Sequence, residues 1–221
     1  MRITKVGVIG VGFMGTHHAE TYAAMPDAEL MGVADIDQAR AASVAEKFGI
    51  RAYEDMRQLL ADPNVAAVSI CTNDEQHVEP SLAALAAGKH VLLEKPIATT
   101  LGDADRVLAA ANGSTKCFLV GHILRFEQRY VAAKQAVDAG QIGEVISIFA
   151  RRMNAASAQN ILEGRVSVLS FIGVHDLDLC HWIADAPAVR VYCEVRRGLL
   201  ASRGFDVEDQ TFTLVLSLIH I

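Results

Sequence analysis

The stretch VLLEKP, at residues 91–96, combines residue types that could do chemistry. An apolar run typical of a buried strand ends in Glu94, Lys95 and Pro96. Charged side chains seldom end such a strand unless something pairs with them or uses them, and the proline stops ladder hydrogen bonding there. From the residues alone, Lys95 is either a desolvated lysine that relays a proton or a surface lysine that pairs with Glu94 in a turn.

A second stretch with chemical potential is SFIGVHDLDLCHW, at residues 170–182. On a helix, Asp178, His181 and Trp182 would share a face, because their spacings are three and four residues. Asp176 more simply stabilises the first helical turn through the helix dipole, and we expect His181 and Trp182 to pack against a sheet. A zinc site that includes His175 is conceivable, but we expect no metal, because partners at metal-ligand spacing are missing elsewhere.

The third feature is a glycine pattern, Gly10-x-Gly12-x-x-Gly15, between a predicted strand and a predicted helix. Such a loop turns tightly, lets the backbone approach a pyrophosphate and brings the helix against the strand, and the helix N-terminus favours phosphate. Asp35 ends the next strand and could accept hydrogen bonds from ribose hydroxyls. No arginine immediately follows Asp35. We therefore predict NAD as the cofactor, with NADP disfavoured by repulsion of its 2′-phosphate.

The elements that position these residues alternate regularly over the first 122 residues. Apolar runs typical of strands cover residues 5–9, 30–34, 51–53, 65–71, 90–93 and 117–121. Helical patterns cover residues 14–24, 38–48, 56–60, 79–87 and 101–111, the last with Thr100 as its N-cap. This alternation predicts an α/β fold with a Rossmann-type doubly wound parallel sheet.

The pattern changes after Arg125. It predicts a helix over residues 127–139, a strand over 144–153, a helix over 176–184, and strands over 189–195 and 210–218. We therefore predict a dinucleotide-binding domain at residues 1–122 and a partial α+β domain at residues 123–221, with an open, mostly antiparallel sheet.

At this point the sequence resembles the Gfo/Idh/MocA family of oxidoreductases, which includes inositol dehydrogenases. The resemblance rests on the glycine loop, VADID, CTNDEQH, LLEKP, VGHILRF and GVHDLDLCHW, in family order across residues 5–182. It implies a two-domain enzyme whose second sheet often makes subunit contacts. We therefore expect a homo-oligomer, a dimer or tetramer, when the protein is full length.

The resemblance also implies roles for individual residues. Lys95 would lie by the nicotinamide and the reacting hydroxyl, commonly after a cis Lys–Pro bond, and His175 would be the second catalytic residue. Substrate contacts would come from His122, Arg125 and Asp178, although Arg125 could instead form an interdomain salt bridge. Many members carry an aspartate four residues before the histidine, where this chain has Phe171. The expected cofactor-binding residues are Gly10, Gly12, Phe13, Met14, Gly15, Asp35, Cys71, Thr72, Asn73, His77, Glu94 and Lys95. His77 could equally cap or pack its helix.

Composition limits the classes of binding partner and the cell compartment that we expect. The formal net charge of −6 argues against nucleic acid and anionic membrane, and no apolar run is long enough to suggest a membrane span. Cysteines at 71, 117, 180 and 193 form no C-x-x-C pair, so we expect reduced thiols in a cytoplasmic protein. The basic N-terminus with its glycine-broken apolar stretch does not favour a signal peptide.

The C-terminal sequence LSLIHI, residues 216–221, matches the translation of a common transposon-adapter sequence. We expect it to be read-through at the end of a truncated gene. The favoured function is an NAD-dependent dehydrogenase that transfers hydride between nicotinamide and a secondary alcohol of a sugar, cyclitol or related polyol. The alternatives are a redox-neutral NAD-dependent glycosidase and a non-catalytic NAD-binding sensor or regulator.

Overall fold

A computed structural model describes residues 3–155, 157 and 165–217. The chain divides into two compact units, the first ending at Gly121 and the second beginning at His122. None of the helices in the described ranges combines the length and the hydropathy that crossing a bilayer requires. Residues 216–221 are the predicted read-through. The structure describes residues 216 and 217, and residues 218–221 lie outside the described residues.

The first unit is a six-stranded parallel sheet in the order β3-β2-β1-β4-β5-β6, which is the doubly wound order that the sequence predicted. Its elements, in chain order, are β1 (Thr4–Ile9), α1 (Phe13–Ala24), β2 (Ala28–Ala34), α2 (Gln38–Phe48), β3 (Arg51–Tyr53), α3 (Met56–Ala61), β4 (Ala67–Ile70), α4 (Val78–Ala86), β5 (His90–Leu93), α5 (Leu101–Asn112) and β6 (Phe118–Val120).

Two hydrophobic clusters cover the two faces of this sheet. Val8 and Val33 pack with α1 and α2, whereas their neighbours Ile9 and Ala34 pack with α3 and α4 on the other face. Successive side chains of a strand point to opposite faces, so each central strand contributes to both clusters. Full burial of each large apolar side chain stabilises the unit by about 1.5–3 kcal/mol.

Local signals in the sequence set several helix boundaries. Asp37 caps α2 by accepting a hydrogen bond of 3.1 Å from the amide of Arg40, and Gly49 ends that helix with a φ of +64°. Thr100 caps α5 by accepting from the amide of Asp103 at 3.2 Å, as predicted. Such side-chain caps satisfy amides that have no partner inside the helix.

The second unit contains α6 (Gln128–Asp138), a π-helical turn at Leu169–Gly173 that leads into α7 (Val174–Ala184), β7 (Ala188–Arg196) and β8 (Gln210–Ser217). Strands β7 and β8 form an antiparallel two-stranded sheet. Helix α7 begins two residues earlier than predicted, because the π-helical turn before it continues directly into it.

One predicted strand is wrong. Residues 144–153 form neither helix nor strand, and Ile146 and Phe149 are 79% and 90% exposed. A strand needs a neighbour that takes up its backbone hydrogen bonds. Within the described ranges, β7 and β8 pair only with each other, so the alternating pattern of 144–153 has no ladder to join.

Candidate active site

The ends of the parallel strands form one row across the sheet. Ile9 is in register with Ala34 on one side and Ile70 on the other, and Ile70 is in register with Leu93. The residue that follows each strand therefore lies at the same edge. These residues are Gly10, Asp35, Cys71 and Glu94, and such an edge is where open parallel sheets bind ligands.

The glycine loop has the geometry that its pattern predicts. Gly10 has a φ of +81°, which favours glycine. A Cβ added to Gly15 would lie 1.8 Å from the carbonyl oxygen of Gly10, so only glycine lets α1 approach β1 this closely. A Cβ added to Gly12 would meet nothing within 4 Å. The space beside Gly12 is therefore open, and the residues fit a bound pyrophosphate.

Asp35 links the loop to the next strand. The carboxylate is 8% exposed and accepts hydrogen bonds from the amide of Val11 at 2.7 Å and from the amide of Asp37 at 2.8 Å. The guanidinium of Arg40 lies 3.4 Å from the same carboxylate. Arg40 does not directly follow Asp35 in the sequence, but the first turn of α2 brings this residue, five positions later, back to the strand end.

A cleft of about 910 Å³ opens at this edge. Six of the twelve predicted cofactor residues contribute to its walls, namely Gly10, Gly12, Asp35, Cys71, Thr72 and Asn73. Phe13 is 67% exposed and borders a neighbouring hollow with Gly12 and Arg40. Met14 differs from the expectation, because its side chain packs on the core beneath α1 and α2.

The Glu-Lys-Pro turn follows β5. Glu94 is 7% exposed, Lys95 is half-buried, and the Lys95–Pro96 bond is cis, as the resemblance implied. Burial lowers the pKa of Lys95, and although the charges of Glu94 and Asp74 oppose this, the net shift is downward. A lysine with a lowered pKa is a better proton acceptor near neutral pH.

His77 ties two loops together. Its ring nitrogens lie 2.6 Å from the carbonyl oxygen of Pro96 and 3.1 Å from that of Thr72, and the residue is 1% exposed. Because both nitrogens face backbone carbonyls, the ring offers neither to a cofactor. The structure thus gives His77 a different task from the predicted one: it holds the Glu-Lys-Pro turn against the loop after β4.

A buried network behind the turn was not predicted. His18 lies 3.1 Å from both Glu94 and Ser69, and the hydroxyl of Tyr22 lies 2.7 Å from that of Ser69. Burial raises the pKa of Glu94, but hydrogen bonds from His18 and from the amide of Lys95 lower it, and the net shift is downward. His18 and Glu94 are 76 positions apart, and His18 belongs to no motif, so no sequence signal pointed to the pair.

In the second unit, the predicted substrate residues contact one another. Arg125 donates to both carboxylate oxygens of Asp178, with an Nε–Oδ2 distance of 2.9 Å, and His122 Nδ1 lies 3.4 Å from Asp178. The guanidinium of Arg125 also lies 5.9 Å from the ring centre of Trp182. The ion pair of Arg125 is thus within the second unit, rather than the interdomain bridge that the sequence left open.

The remaining residues of the stretch at 170–182 lie in α7 and in the π-helical turn before it. His175 and Asp176 lie in its first turn, and Asp176 accepts from Arg152 at 2.8 Å and 2.9 Å, a partner that the dipole interpretation did not foresee. Phe171 is half-buried in the preceding π-helical turn. His181 is exposed, so its predicted packing against a sheet is wrong.

In residues 3–155, 157 and 165–217, no group of three or more histidine, cysteine, aspartate or glutamate side chains is arranged to hold a metal ion. The cysteines in this part of the chain form no disulfide. Burial and the charge of Glu94 raise the pKa of the Cys71 thiol.

The doubly wound sheet, the glycine loop and Asp35 define a dinucleotide-binding Rossmann unit. Residues 4–122 match the sequence model described as "Oxidoreductase family, NAD-binding Rossmann fold", and residues 130–217 match the Gfo/Idh/MocA C-terminal domain. The chain belongs to the Gfo/Idh/MocA family.

Similar proteins include several inositol dehydrogenases. The chain is 32% identical to inositol 2-dehydrogenase of Salmonella typhimurium over 85% of this chain and 57% of that protein. It is 36% identical to inositol 2-dehydrogenase 2 of Saccharopolyspora erythraea over 96% of this chain and 62% of that protein. The chain thus spans less than two thirds of the length of these curated relatives.

The solved structures that this chain resembles also include an inositol dehydrogenase. The crystal structure of myo-inositol dehydrogenase from Lactobacillus casei, in complex with NAD(H) and myo-inositol, superposes with a TM-score of 0.82 at 27% identity. The match covers 98% of this chain and 64% of that one.

Proposed function

We propose that the protein is an NAD-dependent dehydrogenase that oxidises a secondary alcohol of a polyol, in the class of sugars and cyclitols. The observation that carries the proposal is the presence of two features at one sheet edge: an open glycine loop after β1, and a half-buried lysine of lowered pKa after β5. A dinucleotide-binding protein without catalysis would need only the first.

The glycine loop, the amides at the start of α1 and Asp35 would hold the dinucleotide. NAD, when bound, supplies the hydride acceptor. In the alcohol oxidation, the substrate loses a hydride from carbon and a proton from its hydroxyl. The Nζ of Lys95, in its neutral form, accepts that proton. Burial favours the neutral form, and the ionised Glu94 beside it limits how far the pKa falls.

The role of His175 rests on the family resemblance, which makes it the second residue that handles the proton. The substrate class is supported by the similar inositol dehydrogenases. Phe171, where many family members carry an acid, separates this chain from those members. We therefore propose the polyol class and no individual substrate.

We further propose a cytoplasmic homo-oligomer. The support for assembly is the apolar surface of the second sheet, where Tyr192, Phe212 and Leu214 are 61%, 79% and 60% exposed. Light scattering coupled to size exclusion measures the mass of the particle, and a monomer at micromolar concentration would contradict this assembly.

Turnover with a panel of inositols and sugars tests the main proposal, with NADH absorbance as the signal. The assay is run in parallel on this chain and on a longer product of the same gene. We expect turnover that falls at least about 100-fold in Lys95→Ala and in His175→Ala, with NAD affinity retained. His17→Ala, on the exposed side of α1, is the matched control.

Three outcomes would contradict the proposal. Equal turnover rates of Lys95→Ala and the unchanged protein would show that Lys95 is not the proton acceptor. Sugar release without net NADH would identify the glycosidase instead. NAD binding without turnover on any polyol would favour the sensor.

A further inference from the structure

The buried network behind the Glu-Lys-Pro turn runs from α1 through β4 to the end of β5. Tyr22 and His18 both contact the hydroxyl of Ser69, which is fully buried, and His18 continues to Glu94. The side chains of His18 and Glu94 are 15% and 8% exposed. Hydrogen bonds between such groups must be satisfied within the protein, because water reaches them poorly.

The contacts of Glu94 limit where the protons of this network lie. The pKa of Glu94 is lowered, so its carboxylate only accepts, and the Nε2 of His18 must donate to it. The Nδ1 of a neutral His18 then accepts from the hydroxyl of Ser69, which in turn accepts from Tyr22. The geometry therefore places a proton on the Nε2 of His18.

The carboxylate of Glu94 is confined on its other sides as well. Its second oxygen accepts from the amide of Lys95 at 3.3 Å. A Cβ added to Gly121 would lie 3.3 Å from the carboxyl atoms, so the backbone at the end of β6 packs directly on Glu94. His18 thus supplies the shortest side-chain contact to a charge that lies one residue from Lys95.

We propose that His18 is a positioning residue for Lys95: by donating from Nε2 to Glu94, it fixes that carboxylate on the backbone amide of Lys95. This role rests on the proposed function of Lys95 as the proton acceptor. Without this donor, Glu94 would be free to pair with the Lys95 ammonium, whose charge already interacts with it. An ion pair there would favour the charged lysine and remove the proton acceptor.

The variants His18→Gln and His18→Asn test this role. A glutamine amide nitrogen can take the place of Nε2 and still donate to Glu94, whereas an asparagine amide matches Nδ1 and reaches only Ser69. His17→Asn is the matched control, because His17 is the neighbouring residue on α1 and contacts the exposed Glu20 instead.

The readout is the pH dependence of amine acylation at Lys95, measured by competitive labelling and mass spectrometry of the whole chain. It needs no turnover, so it separates the role of His18 from the proposed reaction. Among the described residues, the titratable groups that interact with Glu94 or Lys95 are His18, Cys71 and Asp74, and Tyr22 joins them through Ser69 and Cys71.

We expect the labelling midpoint of Lys95 to rise by roughly half a pH unit or more in His18→Asn, and to stay unchanged in His18→Gln and His17→Asn. An unchanged midpoint in His18→Asn, or equal shifts in the asparagine and glutamine variants, would overturn the proposal. If Lys95 is not the proton acceptor, Lys95→Ala and the unchanged chain will turn over substrate at equal rates. That result is separate from the labelling midpoint, which tests His18.

A measurement on the unsubstituted chain covers the case in which His18→Asn does not fold. Nitrogen-15 NMR of the histidine rings distinguishes the two neutral tautomers. We expect His18 with its proton on Nε2, bonded to Glu94. A proton on Nδ1 with a bare Nε2 would also overturn the proposal, because Glu94 would then receive no hydrogen bond from His18.

Discussion

The carboxylate of Asp35 accepts a hydrogen bond of 2.7 Å from the amide of Val11, inside the glycine loop. The same carboxylate borders the cleft and lies 3.4 Å from the guanidinium of Arg40. Asp35 therefore shapes the loop and also sets the charge at the place where a ribose would bind. Because the side chain has both tasks, its substitution should change affinity and cofactor preference together.

We predict that Asp35→Asn weakens NAD binding by about tenfold, or about 1.4 kcal/mol, and reduces the discrimination against NADP. The amide cannot accept from Val11 and Asp37 equally well, and Arg40 then faces the 2′-phosphate without the opposing charge. Calorimetric titration with both dinucleotides gives the ratio of their dissociation constants. Asp105→Asn, at an exposed position of α5 outside the lining of the cleft, should leave that ratio unchanged. An unchanged ratio in Asp35→Asn would show that Asp35 does not select the cofactor.

The glycine loop offers a matched pair of substitutions. A new Cβ at Gly15 would lie 1.8 Å from the backbone oxygen of Gly10, so we predict that Gly15→Ala unfolds the first unit or lowers its stability by about 3 kcal/mol or more. A new Cβ at Gly12 meets no atom within 4 Å, so Gly12→Ala should keep its melting temperature and lose NAD affinity. Thermal unfolding and dinucleotide titration of both variants check this. Equal NAD affinity in Gly12→Ala and the unchanged chain would contradict a pyrophosphate at this position.

Local sequence signals predicted most of the first unit. Strand β5 and helix α2 have the predicted bounds, because an apolar run, the Asp37 cap and the turn at Gly49 act over neighbouring residues. The alternation of strands and helices predicted a doubly wound parallel sheet, and the structure adds the order of its strands. The predicted strand at 144–153 failed for the opposite reason: strand formation depends on a partner that a periodic pattern does not contain.

The site was predictable where a motif spans few residues and not where contacts join distant ones. The glycines, Asp35 and the Glu-Lys-Pro turn were visible because their spacing is local. The contact of His18 with Glu94, the approach of Arg40 to Asp35 and the pairing of Arg125 with Asp178 were not. Arg125 and Asp178 are 53 positions apart, and only the packed structure brings such side chains together.

Tyr53 gives a pH dependence. It is 2% exposed and donates a hydrogen bond of 2.7 Å to Asp62. Burial and the neighbouring Asp62 raise its pKa from 10.0 to about 12. Between these values the unfolded chain loses the proton while the folded chain keeps it. The contribution to stability is therefore complete below pH 10 and is lost as the pH rises toward 12.

We predict that Tyr53→Phe lowers stability at neutral pH by about 1 kcal/mol, through the lost hydrogen bond, and flattens the alkaline decline. Urea unfolding at a series of pH values measures both effects, and phenolate absorbance follows the titration directly. If the variant and the unchanged chain lost stability with the same slope above pH 10, Tyr53 would not be the group responsible.

The pairing of Arg125 with Asp178 should stabilise the second unit. The side chain of Asp178 is 8% exposed and that of Arg125 is 40% exposed. Removing the arginine leaves a nearly buried carboxylate whose remaining ion-pair neighbour, within the described ranges, is His122 at 3.4 Å. We predict that Arg125→Met destabilises this unit by about 2 kcal/mol, below the range for fully buried pairs because the arginine is partly solvated. Arg129→Met, which removes an arginine that is 86% exposed, should change stability by less than about 0.5 kcal/mol.

The chain contains one tryptophan, Trp182, and the guanidinium of Arg125 lies 5.9 Å from its ring, so tryptophan fluorescence in urea reports on this unit. The double variant Arg125→Met, Asp178→Leu decides the physical cause. If the loss comes from an unpaired buried charge, removing that charge as well should recover part of the stability. If Arg125→Met lowers the stability of the second unit no more than Arg129→Met does, the pairing of Arg125 with Asp178 does not stabilise the unit. If the double variant is less stable than Arg125→Met, packing rather than charge explains the loss.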